Sequence, residues 1–503
     1  MSDSILEELA AIVGKDNASD DPLVLDKYSR DQSFVPQTRP NYVVTPGTVA
    51  EVQEIVRLAN KLLMPVVPYS SGTDFHGGAV PSIGGILVNL QRLNKITYID
   101  ERNWHALIEA GVTYAQLQPE LEKYGLRVAA PLTSPPSASV LVDYIERNPV
   151  VTAPDFVFGN ELFSTYDMLM PTGELFTIGH PPTQKSRAMA PDGPAFDFYR
   201  LYMGSQGTFG IVTQMAIRLL PLPTAQKVIF IPAETVSQAT HIIQRIERKE
   251  LGLECFAFNS FDLAALVVDI PGEDDKLKKG TYVGNRGANP WTEEQVMQFE
   301  SIRGNLPPWT IIVCLTGWAR RADEKLAYQE LDLKDVAVES GCELKNTVGA
   351  ITGLSNIIKE EVILPGRMQK RFGYKGSCHG LMFHSSPDTV GLLEAAIYDV
   401  ACKYNYPTSD IGGYLLPIER ARTIYCEFDF HCNLDDAAES QAVKALYKEA
   451  SEVVVDMGGF FDRPYGPWAE IMYSRSGTYA EYLKKLKNKS DPNNIMNPGK
   501  LCF

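Results

Sequence analysis

Between Pro68 and Pro81 the chain reads PYSSGTDFHGGAVP, a run of small and hydroxyl residues ending in a Gly-Gly pair. Glycine tolerates positive φ and lets backbone come close to a ligand. Successive N–H groups in such a turn make a concave anion site. Pro68, Ser70, Ser71, Gly72, Thr73, Asp74, Gly77 and Gly78 are therefore a candidate pyrophosphate cradle, set against the plainer reading of a tight turn that binds nothing. A second glycine turn, YMGSQGTFGIV at Tyr202–Val212, carries Gly204, Ser205, Gly207, Thr208, Gly210 and Ile211. His76, inside the first loop, exchanges a proton near neutral pH and is a candidate acid or base. Phe460, Phe461, Tyr465, Trp468 and Tyr473, with Tyr414 and Phe383, are either the lining of an aromatic pocket or ordinary core, and core is the expectation for most of them. The seven histidines form no spaced cluster and the eight cysteines no CxxC pair, so no metal centre is expected.

These residues need a scaffold, and 503 residues suffice for two or more domains with sizeable cores. A hydrophobic content of 45% and a charged content of 22% suit a globular protein. The net charge of −15 argues against nucleic acid and anionic membrane surfaces as partners, because phosphate binding needs clustered Lys and Arg. The N-terminus lacks a basic stretch followed by an apolar one, and no apolar run reaches membrane-spanning length, so a cytoplasmic protein is expected.

Ser4 with Glu7, Thr48 with Glu51, Thr113 with Gln116 and Thr235 with Gln238 have helix-capping spacing. Met64–Pro68, Ile86–Asn89, Ile96–Asp100, Ala106–Ala110 and Ile211–Leu220 read as strands. Residues 20–40 look like a connecting arm and residues 270–295 like a long surface loop. No GxGxxG opens a helix after the first strand, which disfavours a Rossmann domain. Beyond Pro221 and Pro223, strands at Val228–Ile231, Cys255–Asn259, Thr310–Leu315, Leu381–His384, Tyr414–Leu416 and Ile424–Phe430 alternate with helical stretches. This predicts an α+β chain whose middle part is an antiparallel sheet with helices on one face.

Taken in order, SGTDFHGGAVP, GSQGTFGIVT and the closing DPNNIMNPGK resemble the FAD-linked oxidases and dehydrogenases of the vanillyl-alcohol oxidase and p-cresol methylhydroxylase type. The stretch SASVLVDYIERNPVVTAPDFVFGNELFSTYDMLMPTGELFTIG is similar to the phenol-oxidising branch. The resemblance spans nearly the whole chain. It implies a two-part FAD-binding domain, residues 1–222 and 458–503, around a substrate (cap) domain at 223–457. It also adds Ser137, Ser139, Val140, Asn497 and Lys500 to the expected FAD contacts.

The resemblance further implies a site where substrate lies against the flavin. Two tyrosines and an arginine hold the phenolate in the phenol-oxidising branch; here their places carry His76, Asp462 and Arg463. Asn160 stands where a catalytic carboxylate follows a Tyr-Gly pair. The segment of covalent flavin attachment aligns with Arg422, Thr423 and Ile424, none a usual flavin link, so FAD is expected to be non-covalent, with Tyr425 the exception to test. Arg422, if it points at the flavin, would stabilise its reduced anion. The activity implied is hydride transfer to flavin from a benzylic or allylic carbon, or a carbinol, of a small aromatic-type substrate. Oxygen, a cytochrome or another carrier would take the electrons, and a homo-oligomer is expected. The rivals are an FAD dehydrogenase of aliphatic 2-hydroxy acids and a non-catalytic flavin-binding subunit of a redox complex.

Overall fold

The computed structural model describes residues 2–152, 162–178 and 198–503. Three main sheets and a short strand pair organise them. In the first, β1 (Ala18–Ser19), β2 (Tyr42–Val44), β3 (Val66–Tyr69) and β4 (Ile86–Asn89) lie in the order β1-β2-β4-β3, and β2, β4 and β3 run parallel. The first glycine loop leaves the carboxyl end of β3, the end at which open α/β sheets present their ligands.

The second sheet is wholly antiparallel. It holds β5 (Ile96–Asp100), β6 (His105–Glu109), β8 (Phe163–Leu169), β9 (Leu175–Ile178) and β10 (Ile211–Arg218), ordered β5-β6-β10-β8-β9. Strand β10 begins directly at the end of the second glycine turn. The short pair β7 (Leu126–Arg127) and β11 (Leu220–Pro221) closes this region. One apolar core underlies both sheets, from Leu9 to Leu219, and takes in Ile495 and Met496 from the other end of the chain.

The third sheet is the expected antiparallel one. Its strands β12 (Ala225–Ala233), β13 (Glu254–Asn259), β14 (Trp309–Gly317), β15 (Ser377–Ser385), β16 (Gly412–Ile418) and β17 (Thr423–Cys432) are ordered β12-β14-β13-β16-β17-β15. Helix Val236–Arg248 packs on it through Val236, Ala239, Ile242, Ile243 and Ile246, all buried. Each buried Ile there contributes about 2 kcal/mol by removing its side chain from water. The residues of β17 alternate sharply. Ile424, Cys426, Phe428 and Phe430 enter the apolar core, and the strand's two-residue period places Glu427, Asp429 and His431 on the other face with Tyr425, whose ring also joins that core.

Three features depart from the sequence reading. Pro22–Lys27, inside the supposed arm, is a helix capped by the Asp21 carboxylate, which accepts from Leu23 N–H. The 270–295 stretch contains helix Asp274–Lys279, and it docks rather than projecting: Gln32 Nε2 donates to Gly284 O at 2.9 Å and Asn285 Nδ2 to Lys27 O at 2.8 Å. In the tail, Phe461, Tyr465, Trp468 and Ile471 belong to the core of the third sheet, so only its last residues rejoin the first core. The two halves are also tied by a fully buried ion pair, Arg127 with Glu254.

Candidate functional site

The glycine turns, 130 residues apart in sequence, form one cleft. Counting its open mouth it spans about 1000 Å3, and it is lined by Pro68–Asp74 and Gly78 from the first turn and by Ser205–Gly207 and Gly210–Val212 from the second. Helix Val140–Ile145 contributes Leu141, Val142, Asp143 and Ile145, and Glu146 follows. Backbone conformation makes the glycines necessary. Gly207 has φ +70°, and a Cβ on it would stand 2.4 Å from Pro68 Cγ; Gly72 has φ +66° and lies against the Tyr69 ring. Among the described residues, no protein group accepts from the N–H of Gly72, Thr73 or Asp74. A run of unclaimed amides in a concave loop suits a pyrophosphate. Asn497 Oδ1, in the same lining, is likewise buried without a partner.

The carboxyl-terminal segment holds both turns in place. Asn497 Nδ2 donates to Gly78 O at 3.2 Å and to Gln206 O at 2.7 Å, one bond to each turn. Lys500 Nζ donates to Gly77 O at 2.8 Å and Val80 O at 2.7 Å, and burial pulls its pKa down to about 8. Lys487 Nζ reaches Thr208 O, Asp491 and Met496 O. Ile495 O and Asn497 N–H continue the backbone pairing of Val66.

The cleft adjoins a second cavity of about 530 Å3, with which it shares Thr73, Asp74 and Asp143. Here charged side chains converge from distant segments. His76 Nε2 lies 3.2 Å from Asp74 Oδ1, and its ring stacks on Tyr465 with centroids 5.6 Å apart. Arg463 is buried and, among the described residues, hydrogen-bonds only uncharged groups: Asn148 Oδ1 at 3.0 Å, the Tyr425 hydroxyl at 3.4 Å and Met382 Sδ at 3.4 Å. Its Nε has no hydrogen-bond partner among the described residues. Asn148 in turn donates to Asp143 Oδ1 at 3.1 Å and Ser134 Oγ at 3.0 Å, which fixes the amide that orients the guanidinium.

Arg371 is committed differently. It bonds Glu427 Oε1 at 2.7 Å and Asp429 Oδ2, and the Tyr425 hydroxyl donates to Glu427 Oε2 at 2.7 Å. Burial pushes Asp143 up to about 6 and Glu146 to about 7, against the hydrogen bonds that Asn148 and Tyr465 make to them. Burial also raises Asp262, to about 6, and Asp429, both beside the same guanidinium.

The expected cofactor contacts sort into three groups. Pro68, Ser70, Ser71, Gly72, Thr73, Asp74, Gly78, Gly207, Gly210, Ile211 and Asn497 line the cleft. Gly77, Ser139, Gly204, Thr208 and Lys500 support it: Gly77 N–H is held by Asp31 Oδ2, Ser139 Oγ by Ala110 O, Gly204 N–H by Ile145 O, and Thr208 Oγ1 by Ser205 O. Ser137 and Val140 stand aside; Ser137 Oγ donates to Gly280 O, and Val140 is buried in the first core.

Of the expected catalytic residues, His76 and Arg463 share the second cavity and Tyr425 touches Arg463. Asp462 does not pair with its neighbour Arg463 but lies 3.1 Å from His384. Arg422 is corrected: it is exposed, at the turn between β16 and β17, away from both cavities, because the hairpin reverses there. Asn160 lies outside the described residues. Sequence reasoning missed Asp143, Glu146, Asn148, Arg371 and Glu427. For Glu427 a signal existed, the alternation of polar with apolar residues along TIYCEFDFHC.

Comparison with known proteins gives the family of the chain and its fold. A family model described as "FAD binding domain" matches residues 40–141, and one described as "FAD linked oxidases, C-terminal domain" matches residues 426–501. The glycolate oxidase subunit GlcD of Bacillus subtilis (strain 168) is 24% identical over 99% of this chain and 96% of its own length. A D-lactate dehydrogenase of Anaerostipes hadrus is 22% identical over 93% of this chain and 90% of its own. Among solved structures, p-cresol methylhydroxylase with substrate bound covers 100% of this chain and 96% of its own, with a TM-score of 0.82 at 17% identity. The 4-ethylphenol oxidase of Gulosibacter chungangensis covers 99% and 96%, with a TM-score of 0.81 at 18% identity. The chain is an FAD-linked oxidoreductase. Its fold is the p-cresol methylhydroxylase type, and its cofactor is FAD.

Proposed function

We infer that the protein dehydrogenates the carbinol carbon of a small 2-hydroxy acid, with the carboxylate held by Arg463. One observation carries this reading: a buried guanidinium whose hydrogen bonds, among the described residues, go to no carboxylate, in the same cavity as an imidazole–carboxylate pair. A planar fork of donors suits a substrate carboxylate. The flavin, when bound, supplies the hydride acceptor.

The chain's residues would then divide the remaining work. Arg463, set by Asn148, binds and orients the acid. His76 gives its Nε2–H to Asp74, so Nδ1 keeps the lone pair that takes the hydroxyl proton. Loss of that proton and of the hydride leaves a carbonyl, and the balance closes without a further reagent. The cavity walls exclude water from the exchange. Relatives named for glycolate and D-lactate, matched along nearly their full length, support the substrate class.

A second reading keeps the aromatic-type substrate. Phe75 and Phe372 meet edge-on at 5.7 Å in the cavity wall, and Arg463 would serve a phenolate equally well. Anaerobic mixing of the holoprotein with glycolate, the two lactate enantiomers and a set of 4-alkylphenols distinguishes the two. Bleaching of the flavin by a hydroxy acid alone is expected. Bleaching by phenols alone would install the second reading, and bleaching by neither would favour a non-catalytic flavin subunit.

A further inference from the structure

The substrate cavity continues behind His76. Phe75 and His76 also bound a smaller cavity of about 340 Å3. Phe34, Val35, Tyr447 and Pro467 lie between that one and a third, of about 1350 Å3. The third is framed by the segment from Phe34 to Thr38, by helix Ala437–Asp456 and by the tail at Gly499–Leu501.

Its charge is unusual for this molecule. The charged side chains in its lining are Lys444, Lys448 and Lys500, with no carboxylate among them, in a chain of net charge −15. Gln441, Lys444 and Lys448 recur on one exposed helix face. Lys448 is 4.0 Å from Glu452, while Lys500 is buried at the inner end against the carbonyls of the first glycine loop. Inward of the neck, past His76 beside Asp74, the next fixed cation is Arg463.

The neck between the cavities is aromatic and uncharged. Phe34 stacks on His379 at 4.2 Å and meets Tyr447 edge-on at 5.6 Å. Burial pulls His379 down to about 3, so it stays neutral. Phe34 rides on an irregular segment tethered by Asp31, which accepts from Ser33 N–H at 2.8 Å and from Gly77 N–H at 2.7 Å. A single side chain on such a segment can give way without unfolding an element.

We propose that Lys444 and Lys448 head a route for small carboxylate anions, which pass the Phe34–Tyr447 neck to reach His76 and Arg463. The identity of the traveller rests on the hydroxy-acid reading above; the route does not. Clefts lined by one sign of charge raise the local concentration of the opposite ion and its rate of arrival.

The test is stopped-flow reduction of the flavin in the holoprotein by dithionite, an anionic reductant indifferent to the substrate question, and in parallel by the hydroxy acids. In K444E/K448E, two exposed changes, the second-order rate with dithionite at low ionic strength is expected to fall about tenfold, and the parent's decline with added salt to vanish. In A445W, which fills the mouth from the exposed helix, both reductants slow at every ionic strength, while F34A quickens them. Flavin content and visible spectrum report whether each variant is folded. Rates in K444E/K448E and A445W within twofold of the parent's would overturn the route. Slowed dithionite with no reduction by any hydroxy acid keeps the route and removes the substrate reading. Hydroxy-acid reduction that is equally fast in parent and variants does the reverse.

Discussion

The two ends of the site are built from different materials. The cofactor cleft is made of backbone: glycines at positive φ, unclaimed amides, and carbonyls pinned by Asn497 and Lys500. The second cavity, the proposed substrate site, is made of side chains that meet from positions 76, 148, 371, 427 and 463. Backbone geometry tolerates almost no added atom, whereas side-chain geometry tolerates exchange and loses function by degrees. The contrast suggests why a flavin fold can serve several substrates: one end is constrained by conformation and the other only by chemistry.

The largest effect is expected at the backbone end. G207A places a Cβ 2.4 Å from Pro68 Cγ at φ +70°. It should cost about 4 kcal/mol in stability, from left-handed strain and overpacking together, and the protein should elute without flavin on gel filtration. Retention of a full complement of FAD would break the contrast.

Next comes a pH effect at the border of the two regions. Burial raises Glu146 to about 7, so the native state keeps a proton that the unfolded chain releases. Stability contributed there is full below the ordinary glutamate range and is lost as pH rises through the folded pKa. E146Q, neutral throughout, should match the parent near pH 4.5 and exceed it by about 3 kcal/mol at pH 8. Urea unfolding of the FAD-free proteins at the two pH values measures this, and a pH-independent difference would contradict it.

At the side-chain end, R463M should lower kcat/KM about a hundredfold while leaving FAD content intact, since one charge-assisted contact to the substrate is lost. A change in kcat/KM matched by loss of flavin would make Arg463 structural instead. The smallest effect is that of N148A, which releases the guanidinium without removing it. An approximately fivefold rise in KM with kcat nearly kept is expected, since one neutral hydrogen bond is lost; an equal fall in both parameters would place Asn148 in the chemistry itself.

The same contrast governs what could be read from the sequence. Glycine is rare where it is not needed, so the two turns and the closing segment were legible in order, and the strands around them followed from local patterning. Arg371 sits in MQKRFGYKGS, a stretch with no periodicity of its own, and becomes meaningful only when β17 brings Glu427 and Asp429 against it. Asn148 lay inside a stretch noticed for its resemblance, but its bond to Arg463 joins positions 315 residues apart. Arg422 enters the expected site only on the condition that it faces the flavin, and its exposed place at the β16–β17 turn could not be read from local pattern, because one residue of register decides which face a strand side chain takes. Nor does adjacency in sequence tell partners: Asp462 lies against His384 while Arg463 turns to Asn148, a divergence set by the bend they occupy.

A crystal structure of the FAD-loaded protein with oxalate, a hydroxy-acid mimic, tests the central claim most directly. The account predicts pyrophosphate oxygens on the amides of Gly72, Thr73 and Asp74, and an oxalate carboxylate hydrogen-bonded to Arg463 in the cavity that His76 bounds. Oxalate bound elsewhere with Arg463 turned to a protein carboxylate, or phosphates distant from those amides, would contradict it.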